Sequence, residues 1–315
     1  MSSSHSRYAI ITGGSSGIGY EAARDLATAN PDMQVAVLAR TPPRALPANT
    51  AFYPVDLGDL ASIQSFLDEW DHPVSALICC AGVSLRKPVL NEDGIDTTFA
   101  VNHVGHAALF FGLNERGRFT VDARIVFVSS SLHRRVRWSS AEEAAHERYQ
   151  RGMTAYSTSK LANVLFANTL ARKAAEHGSG WRVNTFDPGF VPTTNLFRGV
   201  PLLGRWFINY ILPWFSWLLK LRGAVVSTPK RSGRVLALMA YDPQYDVNGK
   251  FFHVEEEKDS SEASHDRALQ DDLWDWTARY LKVPKEISCL RMSSIYGGEP
   301  TATGGKPPWS LEDRF

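Results

Sequence analysis

Tyr156 and Lys160 stand four residues apart in Ala155-Tyr-Ser-Thr-Ser-Lys160, at the head of a long amphipathic run, with Ser129-Ser130-Ser131 upstream. Four residues make about one helical turn, so the phenol and the ammonium project from one face. A nearby cation favours phenolate, and a tyrosine that ordinarily titrates at about 10 can then trade protons at neutral pH. That chemistry suits proton exchange with a carbonyl or alcohol oxygen while a hydride moves. The spacing is common, and a surface helix carrying an incidental Tyr and Lys is the alternative.

The elements before this helix raise the stakes. Arg7 to Thr12 reads as a short buried strand that runs into Gly13-Gly-Ser-Ser-Gly-Ile-Gly19. A helix from Ile18 to about Ala29 follows, with Ile18, Ala22, Leu26 and Ala29 on one stripe. Strand, glycine turn and helix in this order form a phosphate cradle, because glycines allow close backbone approach and the helix N-terminus offers free N–H groups to a pyrophosphate. A second strand, Gln34 to Ala39, ends where a carboxylate would hold the ribose 2′-hydroxyl of NAD; Ala39-Arg40 stands there instead. An arginine can pair with a 2′-phosphate, so the expected cofactor is NADP(H); a solvated loop charge is the other reading of Arg40. Further strands over Thr50–Val55 and Val74–Cys80, with a helix from Leu60 to Trp70 between them, predict an α/β, doubly wound parallel sheet.

Taken in order, Thr12-Gly-Gly-Ser-Ser-Gly-Ile-Gly19, Asp56, Ala81-Gly82, Asn102, Ser130, Tyr156, Lys160 and Pro188-Gly189 resemble the short-chain dehydrogenase/reductase family, from about Tyr8 to Leu281. Asn102-His-Val-Gly-His106 and Ala155-Tyr-Ser-Thr-Ser-Lys-Leu-Ala-Asn163 are most similar to the retinol dehydrogenase and light-dependent protochlorophyllide reductase branches. The resemblance implies a Rossmann fold and a catalytic tetrad. Tyr156 would be the general acid or base, and Lys160 would lower its pKa and hold the nicotinamide ribose. Ser130 would hydrogen-bond the substrate oxygen, with Ser129 and Ser131 as rivals, and Asn102 would position a water relaying protons through Lys160. The cofactor would lie along Gly13, Ser15, Ser16, Gly17, Ile18 and Gly19, then Arg40, Asp56, Leu57, Cys80, Ala81 and Gly82. Tyr156, Lys160, Pro188, Gly189, Val191 and Thr193 would complete its contacts, Thr193 at the carboxamide. Cys80 departs from the asparagine usual there, which puts the local hydrogen-bond pattern in question, since a thiol is only a weak donor.

The 315 residues suit one large domain over 1–281 with a tail over 282–315, either a loose end or an arm packing on a partner subunit in a homo-oligomer. Basic and acidic residues nearly cancel, 34 against 33, so no bulk field recruits nucleic acid. Arg134, Arg135 and Arg137 form a local cluster, read as a solvated loop face before an anionic-substrate contact. Three cysteines give no disulfide framework, and the polar Met1–Arg7 start carries no signal peptide, so a cytoplasmic protein without a metal is expected. Gly199 to Leu221 is rich in aromatic residues. Its apolar run between Arg205 and Lys220 is 14 residues with Asn209 and Pro213 inside, too short for the roughly 20 that span a bilayer. A substrate lid over 199–227, enclosing an apolar or polycyclic small molecule, is the leading reading; peripheral membrane contact through 199–221 and core or subunit packing are the others. The expected activity is hydride transfer between NADP(H) and a ketone or secondary alcohol of a bulky lipophilic molecule. Reduction of an activated C=C bond and a catalytically idle NADP(H) sensor are the alternatives.

Overall fold

The computed structural model describes residues 7–146, 153–191 and 225–284. Eight strands form one sheet in the order β3-β2-β1-β4-β5-β6-β7-β8. The strands are β1 (Arg7–Thr12), β2 (Met33–Ala39), β3 (Thr50–Pro54), β4 (Val74–Cys79), β5 (Phe119–Val128), β6 (Arg182–Asp187), β7 (Phe251–His253) and β8 (Glu256–Lys258). All pairings are parallel except β7 with β8. The order reverses beside β1, where β2 lies on one side and β4 on the other, and a crevice opens there at the strands' carboxyl ends.

Both faces of the sheet are covered, and the strand period of two decides which residue goes where. Ala9, Ile11, Val35, Val37, Ile78 and Val126 face α1 (Gly17–Ala29) and the helix Pro229–Leu238. Ile10, Ala36, Leu38, Leu77, Ile125 and Phe127 face the other layer, built from α2 (Leu60–Glu69) and the helices Gly105–Glu115 and Met153–Glu176. The last described helix, Arg267–Leu281, closes that layer: Trp274 stacks on Phe166 with centroids 4.9 Å apart. At the sheet's edge, Glu256, Glu257 and Lys258 are all exposed, and charges on a short edge strand discourage pairing with another chain.

The buried stripe of α1 differs from the sequence expectation. Gly19, Ala22, Ala23, Leu26 and Ala27 are buried, whereas Ala29 is exposed because the helix leaves the sheet before its last turn ends. β5 begins at Phe119, where the Phe119 and Trp181 rings pack tilted with centroids 5.2 Å apart and extend the hydrophobic layer. No helix among the described residues is long and apolar enough to cross a membrane.

Candidate active site

One cavity of about 1640 Å³ runs along the carboxyl ends of the strands. Its first wall is the glycine turn. Gly13 sits at φ +71°, and a Cβ there would stand 2.8 Å from Ala81 Cα, so neither the conformation nor the space admits a side chain. A Cβ on Gly19 would meet Gly13 O at 2.6 Å; the first turn of α1 therefore presses directly on the loop. Ser15, Ser16, Gly17 and Ile18 line the cavity at that helix start, where backbone N–H groups have no partner within the helix. Past β2 the wall carries Arg40 and Arg44, and past β3 it carries Asp56 and Leu57. Asp56 Oδ1 accepts from Gly58 N at 2.9 Å, which fixes that turn. A glycine cradle under a helix N-terminus fits the pyrophosphate of a dinucleotide.

Thr12 explains how the backbone around Cys80 survives without an asparagine. Its Oγ1 accepts from Cys80 N at 2.9 Å and from Ala81 N at 3.0 Å. The same hydroxyl meets His106 Nε2 at 2.8 Å, and His106 Nδ1 lies 2.9 Å from Asn102 O. A carbonyl only accepts, so Nδ1 carries the hydrogen and Nε2 accepts from Thr12. Burial pushes the Cys80 thiol up to about 11, so it lines the site as a neutral group.

The three serines after β5 have three separate tasks. Ser129 Oγ donates to Lys160 O at 2.8 Å. Ser130 lies beside the Tyr156 phenol and works to lower its pKa, and its Oγ accepts from Leu132 N at 3.3 Å. Ser131 Oγ donates to Asp187 Oδ2. Tyr156 and Lys160 are both buried on the helix Met153–Glu176 and both line the cavity. Lys160 Nζ donates to Val128 O at 2.9 Å and sits 5.5 Å from the Tyr156 ring centroid. Asn102 lies in a π-helical stretch, Ala100–Val104. Its Oδ1 accepts from Val83 N at 2.7 Å, and its Nδ2 donates to Val83 O and Ser159 Oγ, each at 2.9 Å. A Cβ on Gly82 would be 3.5 Å from both Asn102 Oδ1 and Lys160 Nζ, so these two groups converge on the same glycine.

The electrostatics differ from the sequence expectation. Burial, then the Asp187 carboxylate, push the Tyr156 phenol above its ordinary value, against the lowering by Ser130. Burial pushes the Lys160 ammonium down to about 8. The expected lowering of the phenol by Lys160 is absent: the cation is spent on the Val128 carbonyl, and loss of water outweighs its field on the ring.

Pro188, Gly189 and Val191 line the cavity as expected. Thr193, the aromatic stretch 199–221 and the tail beyond residue 284 lie outside the described residues. Phe190 N donates to Val225 O at 2.9 Å, and Ser227 N donates to Phe190 O at 2.9 Å, so the described chain on either side of residues 192–224 meets at the cavity rim. The clustered Arg134, Arg135 and Arg137 are all exposed, in keeping with a solvated loop face. Arg134 donates to Ser260 O at 3.1 Å and to Asp259 O, and Arg137 pairs with Glu262 at 2.5 Å, while Arg135 lines the cavity.

Asp187 and His253 were not foreseen. Asp187 closes β6 and His253 closes β7, its parallel neighbour; a carboxylate directly before Pro188-Gly189, at the carboxyl end of a parallel strand, was the available signal. Burial pushes the Asp187 carboxyl up, but hydrogen bonds from His253, Ser131 and Gly189 outweigh it and hold the pKa below its ordinary value. No group of His, Cys, Asp and Glu among the described residues could hold a metal ion.

Fold and site together define a dinucleotide-binding oxidoreductase. The family model "short chain dehydrogenase" matches residues 7–200, and this chain belongs to that family. It is 31% identical over 299 residues to short-chain dehydrogenase TIC 32 A, chloroplastic, of Brassica napus, covering 87% of this chain and 88% of that one. Polyprenol dehydrogenase of Homo sapiens is 30% identical over 285 residues, 85% of this chain and 83% of its own. Retinol dehydrogenase 14 of Mus musculus is 32% identical over 227 residues, 70% and 64% respectively, which places the chain near the retinol dehydrogenase-like branches. Among solved structures, an uncharacterized protein from Mycobacterium Paratuberculosis superposes with a TM-score of 0.65 at 25% identity, covering 89% of this chain and 94% of that one.

Proposed function

We propose that the protein is an NADP(H)-dependent oxidoreductase acting on a ketone or secondary alcohol of a bulky, lipophilic small molecule. The observation that carries this reading is the continuity of one cavity from the glycine cradle to Ser130, Tyr156 and Lys160. A bound nicotinamide would supply or accept the hydride. Arg40 and Arg44 favour a cofactor with a 2′-phosphate, since no acid stands at the end of β2 to repel it. Tyr156, neutral through burial, holds the proton that a carbonyl oxygen needs as negative charge develops on it. Ser130 orients that phenol and offers a second hydrogen bond to the same oxygen. Asn102 pins the Val83 turn and Ser159, keeping Tyr156 and Lys160 in register with Gly82. Lys160, anchored on Val128 O, stands where a ribose hydroxyl beside Tyr156 would meet it.

The likeness to a retinol and a polyprenol dehydrogenase supports a lipophilic substrate. So does the position at the rim of Phe190 and Val225, which flank in sequence the stretch that holds Thr193 and the aromatic 199–221 segment. The test is incubation of the purified protein with NADPH and a panel of lipophilic ketones, enones and aldehydes, with products identified by mass spectrometry. Alcohol products are expected. Saturated ketones would replace this reading with C=C reduction, and tight NADPH binding without any turnover would replace it with a sensor.

A further inference from the structure

Beyond the Ser130–Tyr156 pair the cavity holds a second polar group that the proposed reaction does not use. Asp187 is 1% exposed, and both of its oxygens accept hydrogen bonds from neighbouring groups. Oδ1 accepts from Gly189 N at 3.0 Å, and Oδ2 accepts from Ser131 Oγ and from His253 Nδ1 at 2.8 Å. A carboxylate cannot donate, so His253 Nδ1 carries a hydrogen and the tautomer is settled by its partner. Nε2 is then the working end of the ring. No described residue hydrogen-bonds it, the side chain keeps 13% exposure, and His253 lines the cavity with Tyr156.

The backbone holds this arrangement at a cost. Val254, next to His253, is a buried β-branched residue at φ +55°, a conformation such residues rarely adopt, and its N–H donates to Asp187 O at 2.8 Å. The β7–β8 turn is thus tied to the end of β6, and His253 is aimed by both backbone and carboxylate. Ser131 connects the pair to the catalytic centre, being the residue directly after Ser130.

We propose that Ser131, Asp187 and His253 form a subsite for a second hydroxyl group of the substrate, with His253 Nε2 as the atom that reads it. The proposal rests on the oxidoreductase reading above and deepens it: the substrate is a hydroxylated ketone or a diol, not a simple lipophilic ketone. A hydroxyl is the group that satisfies Nε2 in either protonation state, donating to the neutral imidazole and accepting from the imidazolium. Asp187 and Ser131 are positioning residues, because they act on substrate only through the ring. The polar end of the cavity gives orientation, while its apolar remainder gives affinity, which is the usual division of labour in small-molecule sites.

The probes are phenyl ketones with ω-hydroxyalkyl chains of two to four carbons, each compared with its unsubstituted parent. Two measurements are made. The first is kcat/KM with NADPH for the wild-type protein, His253→Phe, His253→Gln and Asp187→Asn. The second is Kd for the same ketones on the NADPH complex of Tyr156→Phe, with and without His253→Phe, so that recognition is read even where chemistry fails. Wild type should prefer at least one hydroxylated ketone over its parent by roughly tenfold, the worth of one hydrogen bond in a partly wet site. His253→Phe should bring that ratio close to one, His253→Gln should restore part of it, and Asp187→Asn should reduce it. NADPH affinity and melting temperature show whether each variant keeps its fold, and His253→Gln stands in if the Phe variant does not. Equal treatment of hydroxylated and parent ketones at every chain length, in kcat/KM and in Kd, overturns the subsite; so does a preference that survives His253→Phe. Binding that discriminates without any turnover leaves the subsite standing and overturns the reductase reading alone.

Discussion

Tyr156 keeps its proton through the neutral range because its hydroxyl has lost water and faces the Asp187 carboxylate. Reduction consumes that proton and oxidation needs the phenolate, so the sign is clear: at pH 7 reduction should outrun oxidation. Reduction should stay level from about pH 6 to 8, and oxidation should climb with pH. Profiles of kcat in both directions check this, and a reduction rate that halves near neutrality would contradict it. Tyr156→Phe removes the proton and keeps the ring, so turnover should fall by at least about a hundredfold with NADPH affinity little changed. Ser130→Ala should lower kcat strongly; Ser131→Ala should act through Asp187 and His253 and so change substrate preference more than rate. Arg40→Asp should cost NADPH roughly one to two decades of preference over NADH, the worth of a charge-assisted contact at about 1.5–3 kcal/mol. A cofactor ratio that does not move would show Arg40 to be a solvated charge. At this scale the sequence was most readable where chemistry depends on local spacing, as for Tyr156 and Lys160 on one turn. It was least readable where two residues 66 positions apart meet, as Asp187 and His253 do, and where burial reverses the sign expected from a neighbouring cation.

At the scale of elements, the cofactor cradle depends on a helix that touches no cofactor. The helix Pro229–Leu238 lies against α1, and a Cβ on Gly233 would stand 2.5 Å from Glu21 Cβ and 2.9 Å from both Ala22 N and Ile18 O. Two of these atoms are backbone, so α1 itself would have to move. Gly233→Ala should therefore cost about 1–3 kcal/mol of stability, the usual toll of overpacking, and raise the Kd for NADPH, because Ile18 belongs to the turn that lines the cavity. Chemical denaturation and NADPH titration on one variant test both halves; lost stability with unchanged affinity would separate the helix contact from the cradle. The alternation of hydrophobic strands and amphipathic helices made β1 to β4 and α1 visible from sequence, since each buries a long regular face. β7 and β8 were not visible, because three residues carry no periodicity, and what makes Phe251–His253 a strand is its pairing with β6.

Over the whole molecule, the neutral histidines set the response to acid. His103 and His106 are fully buried beside the Asn102 turn, and burial pushes their pKa values down to about 3 and about 4. In the unfolded chain both return to the ordinary value of about 6.5. Between pH 6.5 and about 4 the unfolded state therefore binds more protons than the folded one, so stability falls as pH drops through that window and is fully present above it. Each histidine contributes a slope of up to about 1.4 kcal/mol per pH unit, and His133, also lowered by burial, adds in the same direction. His106 has a further role, since its ring joins Thr12 in the glycine turn to Asn102 in the catalytic half. Replacing it with glutamine should make the acid slope shallower by about one proton while loosening that connection, so NADPH affinity should weaken even at pH 8, where the acid effect is silent. Urea unfolding at intervals from pH 4 to 7, with NADPH titration at pH 8, measures both. A wild-type stability that stays level across the acid window would mean that these imidazoles find water or a carboxylate as they protonate. An unchanged slope in the variant would move the proton uptake to His103 and His133 and leave His106 with its joining role alone.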